Sequence, residues 1–230
     1  MTPCSACSPA CFGLVLVLSG LAAAQDQALF DGKTLNGWSG DPRIWSVRDG
    51  AITGQTTGET QLQENNFLVW KDEVDDFHLQ LKFRLGGGNS GIYYRARKRP
   101  SGQTQGDPLI GTQADFDATG RWTGVIMEYL VRDVLAERGQ KVLIDQQGKK
   151  HMVASLGDPN ELLQAIKINQ WNDYTVTARG GHVVLQINGV TMCELDDRDP
   201  RRIVRGLLAL QVHVGPPMVV QFKDICLRTL

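Results

Sequence analysis

The sequence has little cysteine and no excess of charge of either sign. Beyond residue 24 only Cys193 and Cys226 remain, which could form one disulfide in an oxidising compartment, and no zinc-type cysteine spacing is present there. The 24 basic and 25 acidic side chains give a formal net charge of −1. Because there is no basic excess, we expect no nucleic-acid partner.

Several sequence signatures of catalysis are also absent. The chain beyond residue 24 has no G-x-S-x-G, no H-E-x-x-H and no paired-acid run of the type E-x-D-x-x-E. Residues 86–91 fit G-x-G-x-x-G, but β-branched and aromatic residues follow where a dinucleotide site needs a helix. We therefore predict a glycine-rich connection between strands and not a nucleotide site.

No apolar run is long enough to span a membrane. The longest is residues 12–21, which has the length of a signal-peptide core, and alanines at residues 22–24 offer a cleavage site. We predict a signal peptide over residues 1–24, a secreted or periplasmic protein, and no membrane association after cleavage. Three cysteines, Cys4, Cys7 and Cys11, would leave with that segment.

The remaining sequence has the pattern of a β protein. Most of the 25 glycines and 9 prolines of the full chain lie there, between short runs in which apolar and polar residues alternate, as in residues 77–85 and 206–213. One helix is predicted at Asp158, where an N-cap aspartate precedes Pro159. About a dozen strands without βαβ alternation predict one all-β sandwich domain over residues 25–230.

The alternation also selects candidate functional residues. Period two puts polar side chains on one face of three strands, giving the pairs Tyr93 with Arg95, Gln113 with Asp115, and Gln211 with His213. Glu128, near the end of another predicted strand, is a further acidic candidate. The alternatives to a functional role are that Arg95 and Asp115 form an ion pair between strands and that His213 forms a hydrogen bond across the sheet.

Five ordered blocks of the chain resemble a known family. They are LFDGKTLNGW, NSGIYYRA, GTQADFD, WNDYTVTARGGHVVLQINGV and LQVHVGPPMVVQFKDICL. Together they resemble the 3-keto-disaccharide hydrolases, also described as 3-keto-glucoside 1,2-lyase/3-keto-2-hydroxy-glucal hydratases. The resemblance implies a concanavalin A-like β-sandwich or jelly roll, secretion, and a sugar-degrading site on the concave sheet.

The resemblance implies a particular chemistry. A ketone at C3 of the sugar acidifies the C2 proton, so a base can remove it, the enolate can expel the anomeric group, and water can add afterwards. The implied roles are His213 or Asp115 as base, Arg95 as stabiliser of the enolate oxygen, Glu128 as a further acid, and Gln113, Gln211 and Tyr93 as substrate-binding residues. Met127 departs from the family pattern, which commonly has an aromatic residue there.

The partners and alternatives follow from this chemistry. The substrate would be a glycoside or 3-keto-sugar, and a sugar oxidoreductase would have to supply it. No cofactor is established by the sequence, although a divalent metal could polarise the ketone. A non-catalytic carbohydrate-binding module is the alternative, because lectin-like proteins use the same fold. Such a binder would need exposed aromatic residues, and only Tyr93 and Trp122 offer them.

Overall fold

The computed structural model describes residues 26–60, 62–100 and 108–230. The predicted signal peptide lies outside these residues. Among the described helices, none has the length and apolar character needed to cross a membrane. Cys193 and Cys226 both lie in the described part of the chain, where they are free thiols.

The described chain is built almost entirely from β-strands. In chain order its elements are β1 (Gln27–Ala28), β2 (Trp38–Ser39), β3 (Trp45–Arg48), β4 (Ala51–Gln55), β5 (Asn66–Val74), β6 (Phe77–Gly86), β7 (Asn89–Lys98), β8 (Leu109–Asp117), β9 (Ile126–Glu128), β10 (Asp133–Ala136), β11 (Gln140–Ile144), β12 (Lys150–Ser155), α1 (Pro159–Leu163), β13 (Asn172–Arg179), β14 (His182–Ile187), β15 (Val190–Asp197), β16 (Gly206–Val212) and β17 (Val219–Thr229). The Asp158 side chain caps α1 as predicted, accepting hydrogen bonds from the backbone of Asn160 and Glu161.

The strands form two sheets. The ten-stranded sheet has the order β12–β11–β15–β14–β13–β6–β17–β4–β3, with β1 beside β17. The seven-stranded sheet has the order β10–β9–β8–β7–β16–β5–β2. Within the described residues, β11 and β15 are parallel and the other paired strands are antiparallel. The prediction of an all-β sandwich with one short helix is confirmed.

The core lies between the two sheets, where the alternating residues meet. On β6 the odd-numbered residues from Phe77 to Leu85 are buried, as predicted from the sequence. Phe83 packs against Phe116 of β8 with ring centroids 4.2 Å apart, which links the two sheets. Each large side chain buried in this way contributes about 1.5–3 kcal/mol, so this layer is a main source of stability.

Tight turns fix the register of the hairpins. Asp49 and Gly50 join β3 to β4, and Asn188 and Gly189 join β14 to β15, all four with positive φ. Positive φ at both turn residues matches the right-handed twist of the flanking strands, which explains the Asp-Gly and Asn-Gly sequences.

The glycine-rich segment carries the chain from one sheet to the other. Gly87 and Gly88, with φ of 80° and 71°, connect β6 of the ten-stranded sheet to β7 of the seven-stranded sheet. A strand and not a helix follows, so the dinucleotide interpretation is excluded. The turn places Asn89 as the first residue of β7.

A bulge in β7 overturns one prediction, that Tyr93 and Arg95 share a face. The pairing of β7 with β8 shifts register between Tyr94 and Arg97, and Arg95 has a φ of 52°. Because the extra residue breaks the period-two alternation, the guanidinium of Arg95 turns away from Tyr93. It donates to the carbonyls of Asp75 and Gly180 at 2.8 and 2.6 Å, and it pairs with Asp76 at 3.0 Å.

Candidate functional site

A cavity of about 380 Å³ opens on the outer face of the seven-stranded sheet. Five of the seven residues selected from the sequence line it: Tyr93 of β7, Gln113 and Asp115 of β8, Gln211 of β16, and His213 just beyond β16. They come together because β8, β7 and β16 are neighbours and because period two turns these side chains outward.

The cavity also has lining residues that sequence reasoning did not select as site residues. They are Asn65, Asn89, Trp122, Met127, Tyr129, Asp133, Val134 and Val214. Strand alternation could have identified Asn89, because it lies an even number of residues before Tyr93 on the same strand. Asn65 and Asp133 come from other parts of the chain, and no local pattern marks them.

The amides of Gln113 and Gln211 are joined across the sheet. Gln113 Nε2 donates to Gln211 Oε1 at 3.1 Å, and both side chains are buried. Gly91 makes room for this pair, because a Cβ there would overlap the side-chain amide of Gln113. The bond to Gln113 fixes the orientation of the Gln211 amide, and no described residue accepts a hydrogen bond from its Nε2.

Asp115 is a buried carboxyl group with a strongly shifted pKa. Burial, with a smaller contribution from the charge of Asp117, raises the pKa of Asp115 to about 8. The hydrogen bond from Asn89 Nδ2 to Asp115 Oδ1, at 2.9 Å, acts in the opposite direction. At neutral pH the carboxyl group is therefore mainly protonated and can donate a proton.

Hydrogen bonds to backbone carbonyl groups hold His213 in position. Its Nδ1 donates to the carbonyl oxygen of Val214, and its backbone N–H donates to the carbonyl of Asn89 at 3.4 Å. The N–H of Val214 in turn donates to Asn65 Oδ1 at 2.7 Å. With Nδ1 as the donor, the neutral imidazole has an unprotonated Nε2 that can accept a proton.

Tyr93 forms an apolar wall of the cavity. Its ring packs edge-to-face against Phe67 of β5 at a centroid distance of 4.8 Å, and both rings are buried. Such pairs prefer this geometry because the positive edge of one ring meets the negative face of the other. The contact fixes the position of Tyr93 on the outer face.

Glu128 does not reach the cavity. Its carboxylate points between the sheets, where it pairs with Arg132 at 2.7 Å and accepts a hydrogen bond from Thr112 at 3.2 Å. Arg132 also contacts Asp197 at 2.8 Å, so Glu128 belongs to a buried ion network. The pairing of Met127 with Gln113 puts Met127 on the outer face and Glu128 on the inner face. The acid role expected for Glu128 at this site therefore lacks geometric support.

The cavity has no basic side chain of the lysine or arginine type among its described lining residues. Arg95, expected to stabilise the enolate oxygen, lies at Asp75, Asp76 and Gly180 instead. The described lining residues that can donate hydrogen bonds are therefore amides, aromatic hydroxyl and indole groups, the imidazole of His213 and the protonated carboxyl group of Asp115. In the described residues no group of three or more His, Cys, Asp or Glu side chains is placed to hold a metal ion.

The fold and the cavity define a β-sandwich of the concanavalin and galectin class with a polar site on one outer sheet face. The chain belongs to the 3-keto-alpha-glucoside-1,2-lyase-like domain family, whose model matches residues 25–228. The family resemblance predicted from the sequence blocks is thus confirmed.

A named relative supports this assignment. A 3-keto-disaccharide hydrolase of Bacteroides thetaiotaomicron is 34% identical over 90 residues, which cover 36% of this chain and 31% of the relative. The matched segment thus spans less than a third of that protein's length.

Solved structures share the fold. A Parabacteroides distasonis protein provisionally named a glycosyl hydrolase has a TM-score of 0.58 and 18% identity, covering 90% of this chain and 100% of the other. The carbohydrate-binding module CBM66 of Bacillus subtilis has a TM-score of 0.54 and 14% identity, covering 84% of this chain and 96% of the module. At these identities the similarity shows the sandwich fold alone.

Proposed function

We propose that the cavity is the active site of a carbohydrate-active enzyme that cleaves 3-keto-glycosides. The reaction would be removal of the C2 proton, elimination of the anomeric group and hydration of the resulting enone, which together amount to hydrolysis. The observation that carries this proposal is that the imidazole of His213 and the protonated carboxyl group of Asp115 line one cavity of a family member.

His213 is assigned as the base. Its Nδ1–H is engaged with the carbonyl of Val214, so Nε2 has a free lone pair in the neutral ring. When Nε2 takes the C2 proton, the electron pair of the C–H bond forms the C2–C3 double bond and the ketone oxygen becomes an enolate. The carbonyl at Nδ1 also stabilises the imidazolium that results.

Asp115 is assigned as the acid. Its raised pKa of about 8 keeps it protonated at neutral pH, and its burial keeps bulk water away from the proton. As the enolate collapses, the C1–O bond breaks and the leaving oxygen takes the proton from Asp115. The hydrogen bond from Asn89 then stabilises the carboxylate that remains.

Gln211 takes the role that sequence reasoning gave to Arg95. Its oriented amide can donate through Nε2 to the ketone oxygen, which gains negative charge in the first step. Gln113 holds that amide in place, and the buried ring of Tyr93 lines the cavity beside this pair.

The second half of the reaction reverses the proton transfers. The Asp115 carboxylate takes a proton from water while the water oxygen bonds to C1 of the enone. His213 returns its proton to C2, which regenerates the ketone at C3. The products are a free 3-keto-sugar and the released alcohol, and both side chains recover their starting protonation states.

The proposed setting is outside the cytoplasm. The signal-peptide pattern of residues 1–24 supports a secreted or periplasmic enzyme. The substrate must be oxidised at C3 before this enzyme can act, so a sugar oxidoreductase is the proposed functional partner.

The test compares a 3-keto-glucoside with the same glucoside unoxidised. We expect the purified protein to release the leaving group from the keto substrate alone. In D₂O, Asp115→Asn should still exchange the C2 proton while losing release, whereas His213→Gln should lose both. His78→Gln is the matched control, since His78 lies on the ten-stranded sheet and hydrogen-bonds Thr177.

Two outcomes would contradict the proposal and favour a different function. Release from both substrates would indicate a conventional glycosidase and exclude a requirement for the C3 ketone. Saturable binding of both sugars without release would instead support a carbohydrate-binding module.

A further inference from the structure

A second groove, of about 620 Å³, lies beside the cavity on the same sheet face. Asn65 lines both spaces, and the edge-to-face pair of Phe67 and Tyr93 joins them, with Phe67 in the groove and Tyr93 in the cavity. The groove therefore adjoins the proposed active site.

One part of the wall of the groove is apolar. Phe67 and Leu109 belong to a hydrophobic cluster on the outer face of the sheet that also contains Tyr93 and Ala209, and half-buried Val69 packs against it. This cluster is separate from the core between the sheets. An apolar surface beside a polar cavity suits the flat C–H face of a sugar or an aromatic ring.

Charged pairs border the groove. Arg43 pairs with Asp41 at 2.6 Å, and Arg99 pairs with Glu64 at 3.2 Å. Carboxylates and guanidinium groups form strong, directional hydrogen bonds with hydroxyl groups. The groove thus offers apolar contact to the face of a ring and polar contacts to its edge.

We propose that this groove is the leaving-group subsite, which binds a ring with an apolar face and polar substituents attached through C1 of the keto-sugar. The proposal rests on the function proposed above, because it assumes that the keto-sugar occupies the cavity. A pyranose and a phenol share the chemistry described, and the substrates chosen for the test distinguish them.

The test narrows the groove and compares substrates within each variant. Val69→Trp places a large side chain against the apolar wall, and Val184→Trp is the matched control, a half-buried valine on the outer face of the ten-stranded sheet. The substrates are the methyl 3-keto-glucoside, the phenyl 3-keto-glucoside and a 3-keto-disaccharide. Comparing variants on the same substrate cancels the differences in leaving-group reactivity.

We expect Val69→Trp to lower kcat/KM for the substrates with a ring as leaving group about tenfold more than for the methyl glycoside. A loss confined to the disaccharide identifies a pyranose, and a loss confined to the phenyl substrate identifies an aromatic leaving group. Val184→Trp should not change the ratio between substrates.

Equal losses for all three substrates, or no loss for any of them, would overturn the subsite. If Val69→Trp does not fold by circular dichroism, Val69→Ala replaces it, with an expected selective loss of about threefold for the same substrates. The rate of hydration of the preformed enone, which carries no leaving group, is a separate measurement. Val69→Trp should change this rate no more than it changes kcat/KM for the methyl glycoside. If the unmodified protein releases nothing from any keto substrate, the proposed function itself has failed.

Discussion

Asn89 Nδ2 donates a hydrogen bond to Asp115 Oδ1 at 2.9 Å, and the backbone carbonyl of the same asparagine accepts from the N–H of His213. Asn89 therefore contacts both residues assigned to proton transfer. Its Oδ1 is buried and has no hydrogen-bond partner among the described residues. An unpaired buried acceptor is costly, and a substrate hydroxyl in the cavity would satisfy it.

Replacing Asn89 should change the pH dependence of catalysis. The amide stabilises the ionised form of Asp115, so Asn89→Ala should raise the pKa of Asp115 further above its value of about 8. Because the acid must be protonated, the alkaline limb of the kcat/KM profile should move to higher pH, by about one unit. Loss of orientation should also lower kcat about tenfold.

The control for this variant is Asn160→Ala in the exposed helix α1, which should leave the profile in place. An alkaline limb that stays at the same pH in Asn89→Ala would show that the amide does not act on the acid.

Asp115 should make the folded state less stable as the pH rises. Its pKa is about 8 in the folded protein against a reference value of 3.8, so below about pH 4 both states are protonated and ionisation costs nothing. Between about pH 4 and 8 only the unfolded state releases this proton. Asp115→Asn should therefore gain stability relative to the unmodified protein, by up to about 1.4 kcal/mol per pH unit.

Urea unfolding at pH 5, 6, 7 and 8 measures this difference. Asp173→Asn, which replaces an exposed carboxylate, is the control and should show no comparable slope. Parallel stability curves for Asp115→Asn and the unmodified protein would contradict a raised pKa in the folded state.

Arg95 should contribute to stability and not to the chemical step. Arg95→Met removes two hydrogen bonds to backbone carbonyls and one ion pair at a buried position, which should cost about 2–4 kcal/mol of unfolding free energy. The folded fraction should retain its kcat. Arg228→Met, which breaks an exposed pair with Asp26, should cost less than about 1 kcal/mol.

Denaturant unfolding and kinetics on the same samples separate the two possibilities for Arg95. A large fall in kcat with unchanged stability would restore the electrostatic role that the sequence suggested.

Gly91→Ala should damage the site while leaving the sandwich folded. The new methyl group would overlap the Gln113 amide and displace it from Gln211. Since the obstacle is the end of a flexible side chain, the loss of stability should be small, about 1 kcal/mol, whereas kcat/KM should fall about tenfold. Thermal unfolding and kinetics measure the two effects.

Gly58→Ala is the matched control for this variant, because a Cβ there meets no neighbour within 4 Å. Full activity in Gly91→Ala would mean that the Gln113–Gln211 bond is not needed for catalysis.

Strand alternation was sufficient to find most of the proposed site. Gln113 and Asp115 share a face because two residues separate neighbours on one side of a strand, and the same rule applies to Gln211 and His213. The rule needs only a strand without an inserted residue, and it holds along β8 and β16 up to these residues although both faces of the two strands are largely buried. The prediction that Arg95 shares a face with Tyr93 was wrong because a bulge in β7 breaks that rule, and the local sequence did not reveal the bulge.

Glu128 shows a different limit of predicting side-chain orientation from strand alternation. The segment around it forms a strand of only three residues, Ile126–Glu128, so too few alternating positions existed to decide which side chain faces outward. Pairing of Met127 with Gln113 decided it. The contributions of Asn65 and Asp133 likewise depend on contacts distant in sequence.

The sequence by itself determined the β class, the buried face of β6, the hairpin turns and the family. These are local properties, because alternation and turn chemistry act over a few residues. Only the tertiary structure decided which polar residues share a cavity, that Arg95 and Glu128 stay outside it, and that a groove adjoins it. Those features depend on strand order and on the bulge in β7, which long-range packing selects and neighbouring residues do not specify.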